Sequence, residues 1–322
     1  TVRKNNTIFD KIMAISYLQQ HKIDKEKWDI AVQSHRATAS PFALSWYLDA
    51  SCDNWDALIA NDYTAVMPLP YRKKWGKYYI YPPYFLPRLG VFGKEITSDE
   101  LARWINAIPD KFRWIDIVLH EQMPFDNKKW LSTTHKTYVL DCQFPYEQIR
   151  KNYHHNHKRN CQKAKEEGLT IIHDFSYEEA IALFRNHQTK FYKVNYQEQD
   201  YKRLINILTT LKEKRHLEVY GVVDAHNTFC AAAFFPFING KYYFLFSGRK
   251  ADVNKSMFFL IDNFIRRHAG TTCLLDFNGS NQSSLARFYA GFGADEIQFS
   301  QITISRLSAI AEILLSFYRK FK

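Results

Sequence analysis

Two stretches of the chain pass through the same order of elements at a constant separation, and this repetition limits the folds open to it. Residues 57–80 (ALIANDYTAVMPLPYRKKWGKYYI) and 221–244 (GVVDAHNTFCAAAFFPFINGKYYF) each read as strand, polar turn, apolar strand, turn and a further strand opening at GKYY. Gly76 and Gly240 lie 164 positions apart, and the two stretches align without a gap. Their flanks agree. After the first comes a helical pattern, TSDELARWINAI, then a strand, RWIDIVL; after the second come NKSMFFLIDNFIRRHAG and TTCLLDFNG. Asp116 and Asp276 fall at similar places in the two late strands. A chance likeness between two β-meanders is the plain alternative; duplication of one α/β unit is the sharper reading, and the flanks support it.

Duplication predicts an α/β (α+β) chain of two similar domains, 1–143 and 144–322, each a mixed, mostly antiparallel sheet flanked by helices. SYEEAIALFRNHQTKFY and QDYKRLINILTTLKEK supply helical partners for the second meander, and SPFALSWYLDAS plays that part in the first. Between the copies lies FPYEQIRKNYHHNHKRNCQKAKEEGL. Pro145 is placed for a helix start and Gly168 for its stop. The spacing predicts one basic helix over 145–167, about 23 residues or roughly 35 Å long. Ile149, Tyr153, Asn156, Asn160 and Ala164 form its inner stripe, with Lys151, His155, Arg159 and Lys163 on another face. The histidines do not make a metal set. His154, His157 and Cys161 have helical spacing, but no fourth ligand stands nearby. Lys151, Arg159 and Lys163 share a face that suits phosphate, without the glycine and aromatic interleaving of common RNA modules.

With 322 residues, 46% of them hydrophobic and 16% aromatic, the chain can bury a sizeable core. Its 44 basic against 33 acidic residues leave a net charge of +11, which favours anionic partners. Five scattered cysteines without a CxxC pair read as reduced thiols. The longest apolar run, Phe229 to Ile238, is too short to span a bilayer, and TVRKNNTIFD has no apolar signal core. A soluble, cytoplasmic protein is the expectation, with peripheral contact to a membrane surface left open.

Chemistry concentrates in LLDFNGSNQSSLARFYAGFGADEIQF, 274–299. A buried strand ends at Asp276, a polar turn follows, and a helix begins near Ser283 with Leu285, Phe288 and Phe292 on one side. A last pair of strands follows, SQITIS being the clearer. ARFYAGFGAD resembles the fourth-helix signature of the GNAT acyltransferases, and DFNGS…ARFYAGFGA resembles still more the end of the Fem-type transferases. These are tandem-GNAT proteins that attach amino acids to peptidoglycan precursors. PFALSWYLDA is similar to their N-terminal PFQ…WL element, and HKRNCQKAKEEGL to the basic helix at their domain junction. With the repeat, the resemblance covers roughly residues 30–310.

The resemblance implies two GNAT-like domains. The first is a degenerate copy shaping an acceptor groove, and the second carries an active cleft that joins an activated acyl group to an amine. The oxyanion would meet backbone N–H on a splayed central strand. Tyr289 stands where the matching tyrosine of acyl-CoA-using GNATs protonates the leaving sulfur; alternatively it only packs. Phe288-Tyr289 replaces the Phe-Lys of many Fem-type enzymes, which speaks for a CoA-like donor. The loop GRKADVNKSMFFLI speaks the other way. It keeps Arg249, but Asp252 and Asn254 stand at the glycine positions that cradle pyrophosphate. Arg249, Lys250 and Lys255 could still meet some other phosphate, or form a solvated turn with Ser256 capping the helix. Arg159 matches the Fem-family arginine and is a candidate for phosphate contact. Asp276 either orients or deprotonates the acceptor amine or bonds the following turn, and the same choice holds for Asp116. KYYIYPPYF and the proline-rich YPPYFLPRLGVF suit a rigid wall beside a site.

The expectation is therefore an N-acyltransferase with no permanently bound cofactor, taking acyl-CoA or aminoacyl-tRNA as co-substrate. Its acceptor would be an amine on a peptide, cell-wall precursor or small molecule, and the oligomeric state stays open. The alternative is a non-catalytic protein holding an anionic or peptide ligand in the duplicated fold.

Overall fold

The computed structural model describes residues 14–121, 123–124, 130–191, 196–279, 281–308 and 312. TVRKNNTIFD, Tyr192 at the end of the SYEEAIALFRNHQTKFY pattern, and Ser280 of the turn after Asp276 lie outside the described residues.

The first half contributes β1 (Ile15–Leu18), α1 (Lys25–Ser34), α2 (Ser45–Ser51), β2 (Trp55–Ala60), β3 (Ala65–Lys74), β4 (Lys77–Ile80), α3 (Ser98–Asn106), β5 (Phe112–Val118) and β6 (Leu131–Asp141). Two linker helices follow, α4 (Tyr146–Lys151) and α5 (His155–Glu166), then β7 (Thr170–Ile172), α6 (Tyr177–Phe191) and α7 (Glu198–Glu213). The second half continues with β8 (Leu217–Val223), β9 (Phe229–Ile238), β10 (Lys241–Tyr243), β11 (Phe246–Arg249), α8 (Ser256–His268), β12 (Leu274–Asp276), α9 (Ser283–Ala290) and β13 (Asp295–Ser305).

The repeat is visible in the pairing. β2, β3 and β4 form an antiparallel meander, and β5 returns through α3 to lie parallel to β4. β8, β9 and β10 do the same, and β12 returns through α8 to lie parallel to β10. Among the strands given above, the other pairs are antiparallel; a single parallel bridge, Leu89↔Leu119, lies outside them. Tyr79 pairs with Trp114 and Tyr243 with Asp276, so Trp114 is the register equivalent of Asp276, and Asp116 lies two residues further along. The strands of both halves join in one mixed sheet, ordered β1-β2-β3-β4-β5-β13-β6-β12-β10-β9-β8-β7, with β11 also on β9. The join is an exchange: β13, from the chain's end, sits between β5 and β6, while β6 pairs with β12. The expected last pair of strands is this single strand of 11 residues.

Helices cover both faces, which is why β9 reads as an unbroken apolar run, FCAAAFFPFI. Ala232 and Phe234 enter a core with Trp28, Phe42, Tyr47, Leu204 and Leu208, so α1, α2 and α7 pack there together. Ala231, Ala233 and Phe235 point the other way, to Leu260 and Phe264 of α8. A third cluster, around Trp104, Phe112 and Met67, lies under α3.

The linker is two helices where one was expected. Tyr146–Lys151 ends at Asn152, and His154 is extended (ψ 147°) before His155–Glu166 begins. Tertiary contacts make the break: His154 N–H donates to Gly291 O (2.9 Å), and Tyr153 turns in against Phe292, ring centroids 5.3 Å apart. The break shifts the buried stripe by one position. Ile149 and Tyr153 are buried as expected, but His157 and Cys161 then replace Asn156 and Asn160 ahead of Ala164.

Candidate functional site

The site begins with a fault in the sheet. β10 pairs with β9 through Lys241↔Ile238 and Tyr242↔Phe237, but β11 resumes at Phe246↔Phe234. The register has slipped by one, so Leu245 and Phe246 both face Phe234, and Leu245 N–H donates to Phe234 O (3.1 Å). This is a β-bulge, which re-aims a strand. On the other side, Phe244 N–H donates to Asp276 O (2.8 Å), and there β12 ends. Beyond that bond β11 follows β9 alone, and the chain after Asp276 turns away. Lys250 N–H donates to Cys230 O (2.8 Å). Strand alternation therefore aims the N–H groups of Ser247 and Arg249 away from β9, into the gap.

The gap is the mouth of a cleft of about 790 Å³. One wall is β11 and the start of α8, with Asn254, Met257 and Phe258; another is Asn278, Gly279 and α9, with Leu285, Phe288 and Tyr289. The third comes from the first half of the chain: the proline-rich segment 82–87 lines the cleft, as YPPYFLPRLGVF suggested for a rigid wall. Gly248 is where α6 comes close. A Cβ there would stand 2.6 Å from Phe184 N and 2.9 Å from Ala180 O.

The sequence-predicted residues divide into three groups. Arg249, Phe288 and Tyr289 line the cleft together. Tyr289 is buried, its ring stacked on Phe277 at 4.7 Å and 19° and edge-on to Phe244 at 6.1 Å. Arg249 Nη1 donates to Asn254 Oδ1 (2.8 Å) and Lys250 O (3.1 Å), which fixes its head beside the start of α8. Asp276 lies beneath the cleft, fully buried. Its Oδ1 accepts from Thr137 Oγ1 (2.6 Å) and from Asn278 N–H (2.8 Å), and its Oδ2 from Arg88 Nη2 (2.5 Å). It thus binds the following turn and a buried cation. The other three stand elsewhere. Lys255 pairs with Glu167, Lys250 is outside the lining, and Arg159 is exposed on α5, donating to Asn156 Oδ1 (2.9 Å). Asp116 accepts from Gln301 Nε2 (2.6 Å).

Ser256 does not cap α8: it is the first helical residue, and its hydroxyl donates back to Val253 O (2.7 Å). The start of α8 has no side-chain cap and no acid in its first turn. Asp252 is exposed and outside the lining. Among the described residues no group of His, Cys, Asp or Glu could hold a metal ion. His157 is a core histidine: its Nε2 lies 2.8 Å from Phe288 O, its ring packs on Gly291, and burial lowers its pKa despite that hydrogen bond. The five cysteines are buried free thiols, and no described helix is long and apolar enough to cross a membrane.

Sequence reasoning missed the charges under the cleft. Arg88, at the end of the proline-rich wall, is 4% exposed and joins Asp276 to Glu121 Oε2 (3.3 Å), and Glu121 also pairs with Lys241. Burial opposes the Glu121 charge, yet Arg88 and then Lys241 hold its carboxyl well below the usual range. The bulge also left little trace; Gly248 within a strand was its one signal.

No family model matches the sequence, and no curated protein sequence does. Solved structures match along nearly the whole chain. FemX aligns at a TM-score of 0.61 and 12% identity, over 94% of this chain and 99% of that one. A tandem GNAT protein from the clavulanic acid biosynthesis pathway aligns at 0.53 and 10%, over 92% and 100%. The C-terminal domain of a putative lysylphosphatidylglycerol synthetase from Agrobacterium fabrum aligns at 0.54 and 11%, over 91% and 95%. At such identities the likeness is one of architecture, and the chain has the tandem-GNAT fold of the Fem-like proteins.

Proposed function

We propose that the chain is an N-acyltransferase whose active cleft lies in its second half, residues 144–322, with the first half, 1–143, supplying a wall. The observation that carries this reading is the bulge and splay at β11, which turns the N–H of Ser247 into a cleft that also holds Tyr289 and Arg249. FemX and the tandem GNAT protein, which share the fold, support transfer of an acyl or aminoacyl group in general terms.

The chemistry follows from the geometry. A neutral amine adds to the activated acyl carbon, and the negative charge moves to the carbonyl oxygen. The N–H of Ser247 is oriented by the β9–β11 ladder, so it can receive that charge without reorganising. As the tetrahedral intermediate collapses, the nitrogen must shed one proton and the leaving oxygen or sulfur must gain one; Tyr289, packed against Phe244 and Phe277, gives its hydroxyl proton to the leaving atom and regains the one that the nitrogen releases. Asp276 acts as a positioning residue. It binds Asn278 N–H and Arg88, and so fixes the path of the chain away from β11. Arg249 and the uncapped start of α8 suit an anionic part of the donor. The donor itself is either acyl-CoA or an aminoacyl-tRNA. The two are separated by measuring thermal shift and acyl transfer with each; if neither stabilises the protein nor is consumed, the transferase reading fails and a binding role in the duplicated fold replaces it. Tyr289→Phe should slow turnover roughly 10²-fold or more with little change in Tm. Unfolding of that variant would mark Tyr289 as packing.

A further inference from the structure

The cleft has two sides that β11 keeps apart. Phe246 and Gly248 share one face of the strand, and Gly248 meets α6; Arg249 alternates to the other face, where it bonds Asn254 at the start of α8. On the α6 side four rings meet. Phe184 and Phe246 have centroids 4.3 Å apart, Phe85 stacks on Tyr196 at 5.4 Å and 14°, and Phe85 stands edge-on to Phe246 at 6.4 Å. Among the described lining residues of the whole cleft there is no Asp, Glu, Lys or His, and Arg249 is the single charged side chain.

Phe85 is held there against its own backbone preference. Its φ is +63°, in the left-handed region that bulky side chains rarely adopt. The buried hydroxyl of Tyr47 donates to its carbonyl and Pro83 and Pro87 flank it, so the surroundings impose the conformation. A strained backbone fixed by its neighbours at a cleft wall points to a ring placed for binding.

We propose that Phe85, from the first half of the chain, is a specificity-determining residue of the cleft. With Tyr196, Phe184 and Phe246 it forms an aromatic box for an aryl or alkyl group carried by the amine acceptor. This rests on the transferase reading, which places the polyanionic donor on the Arg249 face and leaves the α6 face to the other substrate. The box binds by burying apolar area, and none of its four rings carries a charge to form an ion pair with the amine.

The test is equilibrium binding of 2-phenylethylamine, octylamine and ethylamine, matched in charge, by isothermal titration calorimetry. The natural protein should bind one of the two longer amines at least about tenfold more tightly than ethylamine. Phe85→Asn removes the ring but keeps a residue that tolerates positive φ. It should abolish that preference while the chain still folds cooperatively, and Phe85→Gly should do the same. Equal binding of the three amines, a preference that survives Phe85→Asn, or loss of the fold in both variants would overturn the proposal. The two readings fail separately. Selective amine binding without consumption of any donor keeps the box and removes the transferase; transfer to acceptors without amine preference does the reverse.

Discussion

The strand after the second turn of each meander shows what separates the two copies. In the first, β4 pairs with β3 in one register from Lys77 to Ile80, and Pro82 and Pro83 then take the chain out of the sheet. In the second, the strand gains a residue at Leu245–Phe246 and continues as β11 after β12 has left. The helices that follow differ in the same sense. Thr97 and Glu100 close a capping box on α3, with Asp99 and Glu100 in its first turn, whereas α8 opens with neither cap nor acid. One copy has spent its strand edge and helix start on its own structure. The other leaves both facing a cleft, and the first copy's strand exit has become that cleft's wall.

Substitutions can break this contrast. The largest expected effect is at Arg88, which ties the wall to Asp276. Arg88→Ala strands a buried carboxylate and should cost about 3–5 kcal/mol in urea unfolding. A loss under 1 kcal/mol would mean that the halves are held together by the sheet alone.

A buried histidine in each copy gives a pH test. Burial, opposed by the Glu121 charge, lowers His120 to about 4, and His157 is lowered by burial too. Each takes up its proton at lower pH in the folded chain than in the unfolded one, so below about pH 6.5 the unfolded chain binds more protons and stability falls as pH drops. His120 contributes about 1.4 kcal/mol per pH unit between about 6.5 and about 4. His120→Gln should flatten that slope, while an unchanged slope would place the acid sensitivity elsewhere. The smallest effect is expected at Thr97→Ala. It should cost about 1 kcal/mol of stability and leave donor binding untouched, because the α3 start faces no cleft.

Much of the fold was legible because duplication writes itself locally: turns at Gly76 and Gly240, a both-faces-buried run in β9, and helical spacing in α3 and α8. The candidate site was legible only where a short motif carries it, as at Phe288-Tyr289, which line the cleft. Arg88 and Asp276 are 188 residues apart, so neither announces the other. The break at Asn152–His154 is made by Gly291 O, a partner no local pattern reveals. The bulge adds one residue without changing the apolar character of FLFSG. What tertiary contacts decide, periodicity misses.

In the proposed transfer the N–H of Ser247, turned out of the sheet by the splay, does chemical work in the second copy. Acyl transfer should be measured in single turnover, with the donor that stabilises the protein, for the natural chain, Ser247→Ala and Ser247→Pro. Ser247→Ala keeps the N–H and should keep the rate. Ser247→Pro removes that donor but no ladder bond to β9, and should slow transfer roughly 10²–10³-fold at nearly unchanged Tm. Transfer by a folded Ser247→Pro variant at the natural rate would contradict the account.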